Sequence, residues 1–470
     1  MKKDFRRKKK NNIPVNQEEL VEEVQETEEA SEEDAEEEPQ EEPAESEDDD
    51  EDEQEDTPAD IPEKKEKPKK KGKVIYAGGS KEAEARNLAN KNKRQKGSLL
   101  TVLLVLALIL AIIVLYVSIS LRQFRGYKVL HSTEVSFETN AAYTEFGGNL
   151  LKYTPDGVSY INANGDTVWT AGIDMKVPIA DTRGEYAVVA DKGGNNVSVF
   201  NLEGQVGTMT MPYSILDVSL ATQGAFTVVL ESDSTNYINM YSRSGEEIYE
   251  IQTSIDKSGY PLDISISENG QKLATSYFML DGVEAKNAIT TYNFGEVGQN
   301  ENADRMVGGF TFTDELFAKI QFVTNDVIAA FSDKEIVIYA MREKPTERKR
   351  IAYSGDIQSV FYSHSYIGII ERTTDAESGS DLVMRVFDTN GDERFSYPFT
   401  MTYDNIYASE EDIIVTGTNQ CLIVTKNGRT KFRYAFDSII RSMIPSSGKN
   451  EYIVTLEGRT ETIRLKSSND

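Results

Sequence analysis

Alternating apolar and polar positions dominate the chain after residue 128 and predict short β-strands. The stretch "LDISISENGQKLATSYF" (Leu262–Phe278) alternates, turns at Asn269-Gly270 and alternates again. Forty-six residues earlier, "LDVSLATQGAFTVVLE" (Leu216–Glu231) repeats this pattern around Gly224. Two alternating runs around a tight turn are typical of a β-hairpin, so the same hairpin recurs along the chain.

Eight such hairpins can be traced, at spacings of 36 to 55 residues that average about 43, which is typical of four-stranded propeller blades. Their first turns fall near Gly148, Gly184, Gly224, Gly270, Asn325, Ser365, Glu411 and Gly448. Five units have a second turn, at Asn164-Gly165, Gly204, Gly245, Asn390-Gly391 and Asn427-Gly428. The repeat predicts an all-β propeller of eight blades. Seven blades is the first alternative, and a pair of β-sandwiches is the second.

The last unit lacks one strand, and an unpaired strand stands before the first unit. This strand is "KVLHSTEVSFE" (Lys128–Glu138), and pairing it into the last blade would close the ring and remove two open edges. We also predict long loops at Met279–Asn287 and Glu371–Asp381. No helix is predicted after residue 122.

An apolar segment precedes the repeats and predicts a membrane anchor. Residues 97–121 contain no charged side chain, and a helix of about 25 residues spans roughly 37 Å, more than the apolar core of a bilayer. We therefore expect a cytoplasmic tail at 1–97, a transmembrane helix at 98–121, a linker at 122–128 and a propeller at 129–470. More basic residues lie before the segment than after it, which predicts a cytoplasmic N-terminus, a single pass and an extracytoplasmic propeller at the cell membrane.

The tail carries its charges in blocks, which predicts disorder. Residues 17–63 contain 27 acidic and no basic side chains, between two lysine-rich runs. Basic residues near the predicted span could contact anionic lipid head groups: Lys64, Lys65, Lys67, Lys69, Lys70, Lys71, Lys91, Lys93, Arg94 and Lys96. After residue 97 the chain has 48 acidic against 31 basic residues, which argues against nucleic-acid binding.

Two motifs carry a resemblance to known propellers. "YTPDGVSYINANGDTVWT" (Tyr153–Thr170) resembles a quinoprotein-type repeat, and Leu262–Phe278 resembles the inner hairpin of WD40-like and TolB-like propellers. The whole layout is similar to a family of uncharacterised, single-pass membrane-anchored propeller proteins of Gram-positive bacteria. The resemblance implies a fold and a location, and it implies no activity.

The residues that catalysis would need are sparse. One cysteine, Cys421, excludes the vicinal disulfide that caps a quinone cofactor, and we interpret Trp169 as a packing residue. His131 and His364 stand far apart in sequence, which is unfavourable for a metal site or a triad. Channel carboxylates are the remaining candidates for acid–base chemistry, although such residues usually bind backbone amides: Asp181, Asp217, Asp263 and Asp356.

We therefore predict no cofactor, no metal site and no catalytic residue. The expected function is non-enzymatic binding of a protein or glycan at the bacterial cell envelope, because propellers present a rigid ring of loops. An exported hydrolase or lyase that acts on envelope glycans through channel carboxylates is one alternative. A transmembrane sensor is the other.

Overall fold

The computed structural model describes residues 102–114, 123–135, 138, 140–254, 258–301, 304–373 and 379–467. The predicted tail, with the basic residues assigned to lipid contact, lies outside this part of the chain. Residues 102–114 of the predicted span form helix α1, with every side chain exposed, and the rest of that span is not among the described residues. Within the described ranges, no helix is both long enough and apolar enough to cross a membrane.

Eight four-stranded antiparallel sheets follow, so the fold is an all-β, eight-bladed propeller, as predicted. Blades 1 to 7 each use four consecutive strands, numbered from the centre of the ring outwards. The strands of blades 1 to 4 are β2 (Ala142–Phe146), β3 (Asn149–Thr154), β4 (Gly157–Ile161), β5 (Thr167–Gly172); β6 (Pro178–Arg183), β7 (Tyr186–Asp191), β8 (Asn196–Asn201), β9 (Gly204–Thr210); β10 (Ser214–Leu220), β11 (Phe226–Glu231), β12 (Thr235–Tyr241), β13 (Glu247–Ser254); and β14 (Tyr260–Ile266), β15 (Lys272–Asp281), β16 (Glu284–Asn293), β17 (Met306–Phe312).

Blades 5 to 7 repeat this order, and blade 8 combines the two ends of the described propeller. The strands of blades 5 to 8 are β18 (Lys319–Thr324), β19 (Val327–Phe331), β20 (Glu335–Met341), β21 (Pro345–Ala352); β22 (Asp356–Ser363), β23 (Tyr366–Arg372), β24 (Leu382–Asp388), β25 (Glu393–Phe399); β26 (Asn405–Ala408), β27 (Asp412–Thr416), β28 (Gln420–Thr425), β29 (Thr430–Ala435); and β30 (Ile440–Pro445), β31 (Glu451–Leu456), β32 (Arg459–Lys466), β1 (Gly126–Glu134).

The ring closes through β1, as predicted. This strand pairs antiparallel with β32, from Gly126 opposite Lys466 to Glu134 opposite Arg459. The pairing gives β32 a hydrogen-bonded neighbour on both sides. The last blade is therefore a complete four-stranded sheet, and β32 is not left as an open edge. Just before β1, the Phe124 N–H donates to the carbonyl of Lys431 in β29 at 2.9 Å, which ties the incoming chain to blade 7.

All eight predicted first turns lie between the first and second strands of a blade. The five predicted second turns lie between the third and fourth strands, and Gly165, Gly391 and Gly428 there have φ between +75° and +87°. Glycine adopts such positive φ values without the steric cost that a Cβ brings. Hairpin turns therefore produced the pattern from which the blades could be counted.

Two local predictions around blade 4 were wrong. Met279–Asn287 is not a loop, because β15 and β16 pair as far as Asp281 opposite Glu284 and leave a turn at Gly282-Val283. A short helix, α2 (Glu296–Glu301), follows β16 where no helix was predicted. Six residues are too few to produce a recognisable 3.6-residue periodicity.

The meander gives the propeller two different faces. The turns between strands one and two and between strands three and four lie on one face, which we call the turn face. The connections between strands two and three and between successive blades lie on the other, which we call the crossover face. Because β1 pairs antiparallel with β32, it begins at the turn face, and the described chain therefore enters the propeller there.

The core lies between neighbouring blades. The second and third strands of each blade are covered on both sides, so they are buried along most of their length; all five residues of β19 (VIAAF) are buried. Outermost strands alternate between exposed and half-buried residues, as in β9. A two-sided environment explains why some strands are continuously apolar, whereas edge strands keep a period of two.

Candidate functional site

The first strands of the blades lie against one another around the central channel, and they bring three predicted carboxylates together. Asp181 in β6, Asp217 in β10 and Asp263 in β14 belong to three consecutive blades, and their charges act on one another. Asp356 does not join them, because it is exposed at the start of β22. Three of the four candidate residues are therefore channel residues, and the fourth is not.

Two of these carboxylates hold neighbouring blades together. Asp181 Oδ2 accepts a hydrogen bond from the Leu220 N–H at 2.8 Å, which joins blades 2 and 3. Asp263 Oδ2 accepts one from the Ile320 N–H at 2.7 Å, which joins blades 4 and 5. Asp263 Oδ1 lies 3.0 Å from Lys319 Nζ. Both oxygens of Asp263 are thus bound by protein groups.

Serine side chains continue the same pattern around the channel. Ser219 Oγ accepts a hydrogen bond from the Ile266 N–H at 3.1 Å, between blades 3 and 4. Ser265 Oγ accepts one from the Phe322 N–H at 2.8 Å, between blades 4 and 5. First strands of adjacent blades are too far apart to pair along their whole length, so side-chain acceptors satisfy N–H groups that would otherwise be buried without partners.

Burial raises the pKa of all three carboxyl groups above the usual value of an aspartate. Burial and the nearby charge of Asp263 raise the pKa of Asp217 to about 6, although Lys319 and the Val218 N–H act in the opposite direction. Burial also raises the pKa of Asp181, against the lowering influence of Arg183. A carboxyl group that titrates near neutral pH is characteristic of general acids, and it also occurs in structural ion-pair networks.

Lys319 is the cation at the centre of this cluster. Burial acts to lower the pKa of its ammonium group, but the charges of Asp263 and Asp217 outweigh that effect and raise it. Lys319 therefore stays protonated, and a protonated amine cannot act as a nucleophile. Its role in the channel is electrostatic.

A cavity of about 400 Å³ opens where the channel reaches the turn face. Its walls include Glu145, Arg183, Glu268, His364 and Glu410, which come from blades 1, 2, 4, 6 and 7. The ring thus gathers at one mouth charged residues that are separated by up to 265 positions in sequence. The mixture of three carboxylates with two basic side chains suits a polar ligand.

His364 stands between two carboxylates at this mouth. Its Nε2 contacts Glu268 Oε1, and its Nδ1 lies 3.5 Å from Glu410 Oε1. Glu410 Oε1 also accepts a hydrogen bond from the His364 N–H at 2.8 Å. Sequence reasoning considered His364 only as one half of a distant histidine pair and missed these partners, because nothing in the chain indicates which turns share the mouth.

Glu145 of blade 1 also lines this mouth. Burial raises the pKa of Glu145, although bonds from the Gly148 N–H and from Tyr407 act to lower it. The Gly148 N–H donates to Glu145 Oε1 at 2.6 Å. Burial and the charge of Glu145 in turn raise the pKa of the Tyr407 phenol. Glu145 is therefore held in place by its own turn and by a tyrosine of blade 7.

Other residues with possible chemistry have structural positions. Trp169 stacks on Phe200 of blade 2 with centroids 5.4 Å apart, and its Nε1–H donates to the Leu202 carbonyl at 3.0 Å, as expected of a packing residue. Cys421 is buried, and burial raises its pKa to about 12. In the part of the chain that the structure describes, no group of three or more His, Cys, Asp or Glu side chains is placed to hold a metal ion.

Comparisons with known proteins agree with this fold. The structure of Sqt1 from Chaetomium thermophilum bound to the N-terminus of ribosomal protein L10 superposes with a TM-score of 0.51 at 10% identity, covering 73% of this chain and all of that one. BamB from Moraxella catarrhalis gives a TM-score of 0.45 at 11% identity, covering 72% of this chain and all of BamB. No curated protein sequence matches. Residues 120–465 match the profile described as "Family of unknown function (DUF5711)".

Proposed function

Because the chain belongs to the DUF5711 family, whose description names no activity, we propose a function from the geometry: the propeller is a non-enzymatic interaction module for a protein or glycan. One observation carries this proposal. Asp181 and Asp263 bind main-chain N–H groups of adjacent blades, so removing their charge would loosen the ring. These carboxylates hold together a rigid scaffold, and the connecting loops remain for binding.

The nature of the fold supports a protein partner. The Sqt1 structure contains the N-terminus of ribosomal protein L10, so a propeller of this general fold is able to hold a peptide segment of another protein. A rigid ring loses little conformational entropy on binding, which favours affinity. We extend the same mode of binding to this chain.

We further propose that the module is anchored through residues 98–121 in a bacterial cell membrane, with a cytoplasmic N-terminus and an extracytoplasmic propeller. The uncharged run 97–121 and the basic residues before it support this arrangement. A tail on the cytoplasmic side could then report binding outside, as in a sensor, or only restrain the protein.

Lysine labelling of intact cells tests the location of the propeller. Lys176 and Lys192 are exposed on the crossover face, whereas Lys272 is buried and donates to Asp326 Oδ1 at 2.6 Å. A membrane-impermeant amine reagent should modify Lys176 and Lys192 in intact cells and leave Lys272 unmodified. Modification of Lys176 only after lysis would place the propeller on the cytoplasmic side.

One observation favours an enzyme as the second candidate. Asp217 has the raised pKa that a general acid needs, and it faces the channel beside Asp263. If the channel hydrolyses or eliminates glycan bonds, Asp217→Asn should abolish the cellular function while the protein remains folded. If the proposed module is correct, cells that produce Asp217→Asn should behave as those with the unchanged chain.

A further inference from the structure

The exposed large apolar side chains of the propeller fall into two groups. One group lies in the outermost strands, where scattered exposure is ordinary: Val129, Val168, Val206, Ile248 and Met306. The other lies on the crossover face of blades 2 to 5: Val177, Tyr213, Leu280, Val283 and Leu316. The second group follows four consecutive blades.

Blade 4 carries the most prominent of these residues. Strand β14 pairs with β15 only as far as Phe278, and β17 pairs with β16 only from Asn287. Beyond these positions β15 and β16 pair only with each other. Their tip therefore projects beyond the rest of the sheet, with Leu280 56% exposed and Val283 fully exposed.

Two residues on either side of the tip are tied to the rest of the fold, Tyr213 through its ring and Leu316 through its main chain. The Tyr213 ring stacks on Tyr237 with centroids 5.0 Å apart and planes 5° apart. The Leu316 N–H donates to Asp333 Oδ1 at 3.3 Å, which fastens the connection into blade 5. Apolar side chains held in one arrangement before binding are typical of interface hot spots, because little ordering remains to be done when a partner arrives.

Acidic side chains surround these apolar residues. In the connections and flanking strand ends of blades 3 to 5 on this face, the exposed charged residues that the structure describes are Glu231, Asp233, Glu284, Asp314, Asp333, Lys334 and Arg350. Both cations among them are engaged, since Lys334 Nζ donates to the carbonyl of Asp314 and Arg350 forms ion pairs with Glu335 and Glu347. The surface thus combines apolar positions with negative charge.

We propose that the crossover face of blades 3 to 5, including the β15–β16 tip, is the docking surface for a cationic protein segment that also carries apolar side chains. The negative rim attracts and orients such a segment, and the apolar positions bury its side chains. This inference rests on the proposed function and names the surface and the partner's chemistry. The described chain enters at the opposite face, so an anchor before residue 123 would leave this surface pointing away from the membrane.

Site-specific photo-cross-linking in the producing cells tests the proposal with the full chain. A benzophenone amino acid is placed at Leu280 or Leu316, and at Ile248 on an outer strand as the matched control, since Ile248 is 53% exposed. After irradiation the attached peptide is identified by mass spectrometry. We expect Leu280 and Leu316 to capture the same segment, with net positive charge and apolar residues, at least about fivefold more than Ile248, as for a contact worth about 1 kcal/mol.

Charge reversal then tests the role of the acidic rim. Glu284→Lys together with Asp314→Lys should reduce capture by Leu280 at least about fivefold, while Glu185→Lys, an exposed change on the turn face, should leave it unchanged. Equal capture by Ile248, or capture of a neutral or acidic segment or of lipid, would overturn the proposed surface. Capture only from a probe at Lys449 on the turn face would overturn it and leave the proposed function standing. No capture from any position would remove both.

Discussion

Replacing Asp217 by asparagine is expected to stabilise the propeller at neutral pH. The pKa of Asp217 is raised from its usual value of 3.8 to about 6, chiefly by burial and then by the charge of Asp263. A carboxyl group with a raised folded-state pKa binds its proton more tightly in the folded chain than in the unfolded chain. Its favourable contribution is therefore fully present below a pH of about 4 and is lost as the pH rises through about 6.

The size of the effect follows from the shift. A shift of about two pKa units corresponds to about 3 kcal/mol, since one unit is worth about 1.4 kcal/mol. Asp217 is partly exposed to the channel, so solvent screening reduces this value, and we expect a gain of about 1–3 kcal/mol above pH 7. Asparagine keeps an oxygen that can accept the 2.9 Å bond from the Val218 N–H, so the local geometry should survive.

Urea unfolding between pH 4 and pH 8 measures this gain. Emission from the single tryptophan, Trp169, reports unfolding, because that ring is stacked between blades 1 and 2. The difference in unfolding free energy between Asp217→Asn and the unchanged chain should be near zero at pH 4 and grow through pH 6. Asp356→Asn, an exposed matched control, should show no such gain. A gain of equal size at pH 4 and pH 8, or no gain at pH 8, would refute the reasoning.

The remaining predictions concern the ring. Asp412 Oδ2 lies 2.7 Å from both Lys431 Nζ and Tyr452 Oη, so Asp412→Ala should lower the free energy of unfolding in urea by about 3–5 kcal/mol. The same substitution made in a Lys431→Met chain should cost about 1–3 kcal/mol less, and an equal cost in both chains would show that the two groups are not coupled. Deletion of residues 123–134 exposes β32 and should lower the melting temperature and produce oligomers in gel filtration; a monomer of unchanged stability would contradict the closure. Gly391 has φ +87°, and a Cβ added there would lie 2.8 Å from Lys349 Cδ. Gly391→Ala should therefore lower the free energy of unfolding by about 1–2 kcal/mol in the same assay, and an unchanged midpoint would show that this turn tolerates a Cβ.

Local patterns were sufficient to predict the number of blades. Turns around Gly148 to Gly448 repeat at the spacing of four short strands, and Asn-Gly at positions such as Asn390-Gly391 favours a tight hairpin turn. The closing strand could also be found, because an unpaired strand before the first unit and a missing strand in the last one are both visible in the sequence. The projecting tip of blade 4 was missed because its alternation is interrupted at Gly282-Val283, where two strands continue and a loop was expected.

The fold could be predicted from local patterns, because strand periodicity and turn chemistry act over a few residues and repeat eight times. The same patterns identified Asp181, Asp217 and Asp263 as channel candidates, because each occupies a corresponding place in its unit. Three relations became visible in the folded ring alone: Asp356 stays outside the carboxylate cluster, His364 contacts Glu268 and Glu410, and apolar residues of blades 3 to 5 share one face. These relations depend on which connections the closed ring brings together. The local sequence around each residue does not indicate which distant residues will be its neighbours.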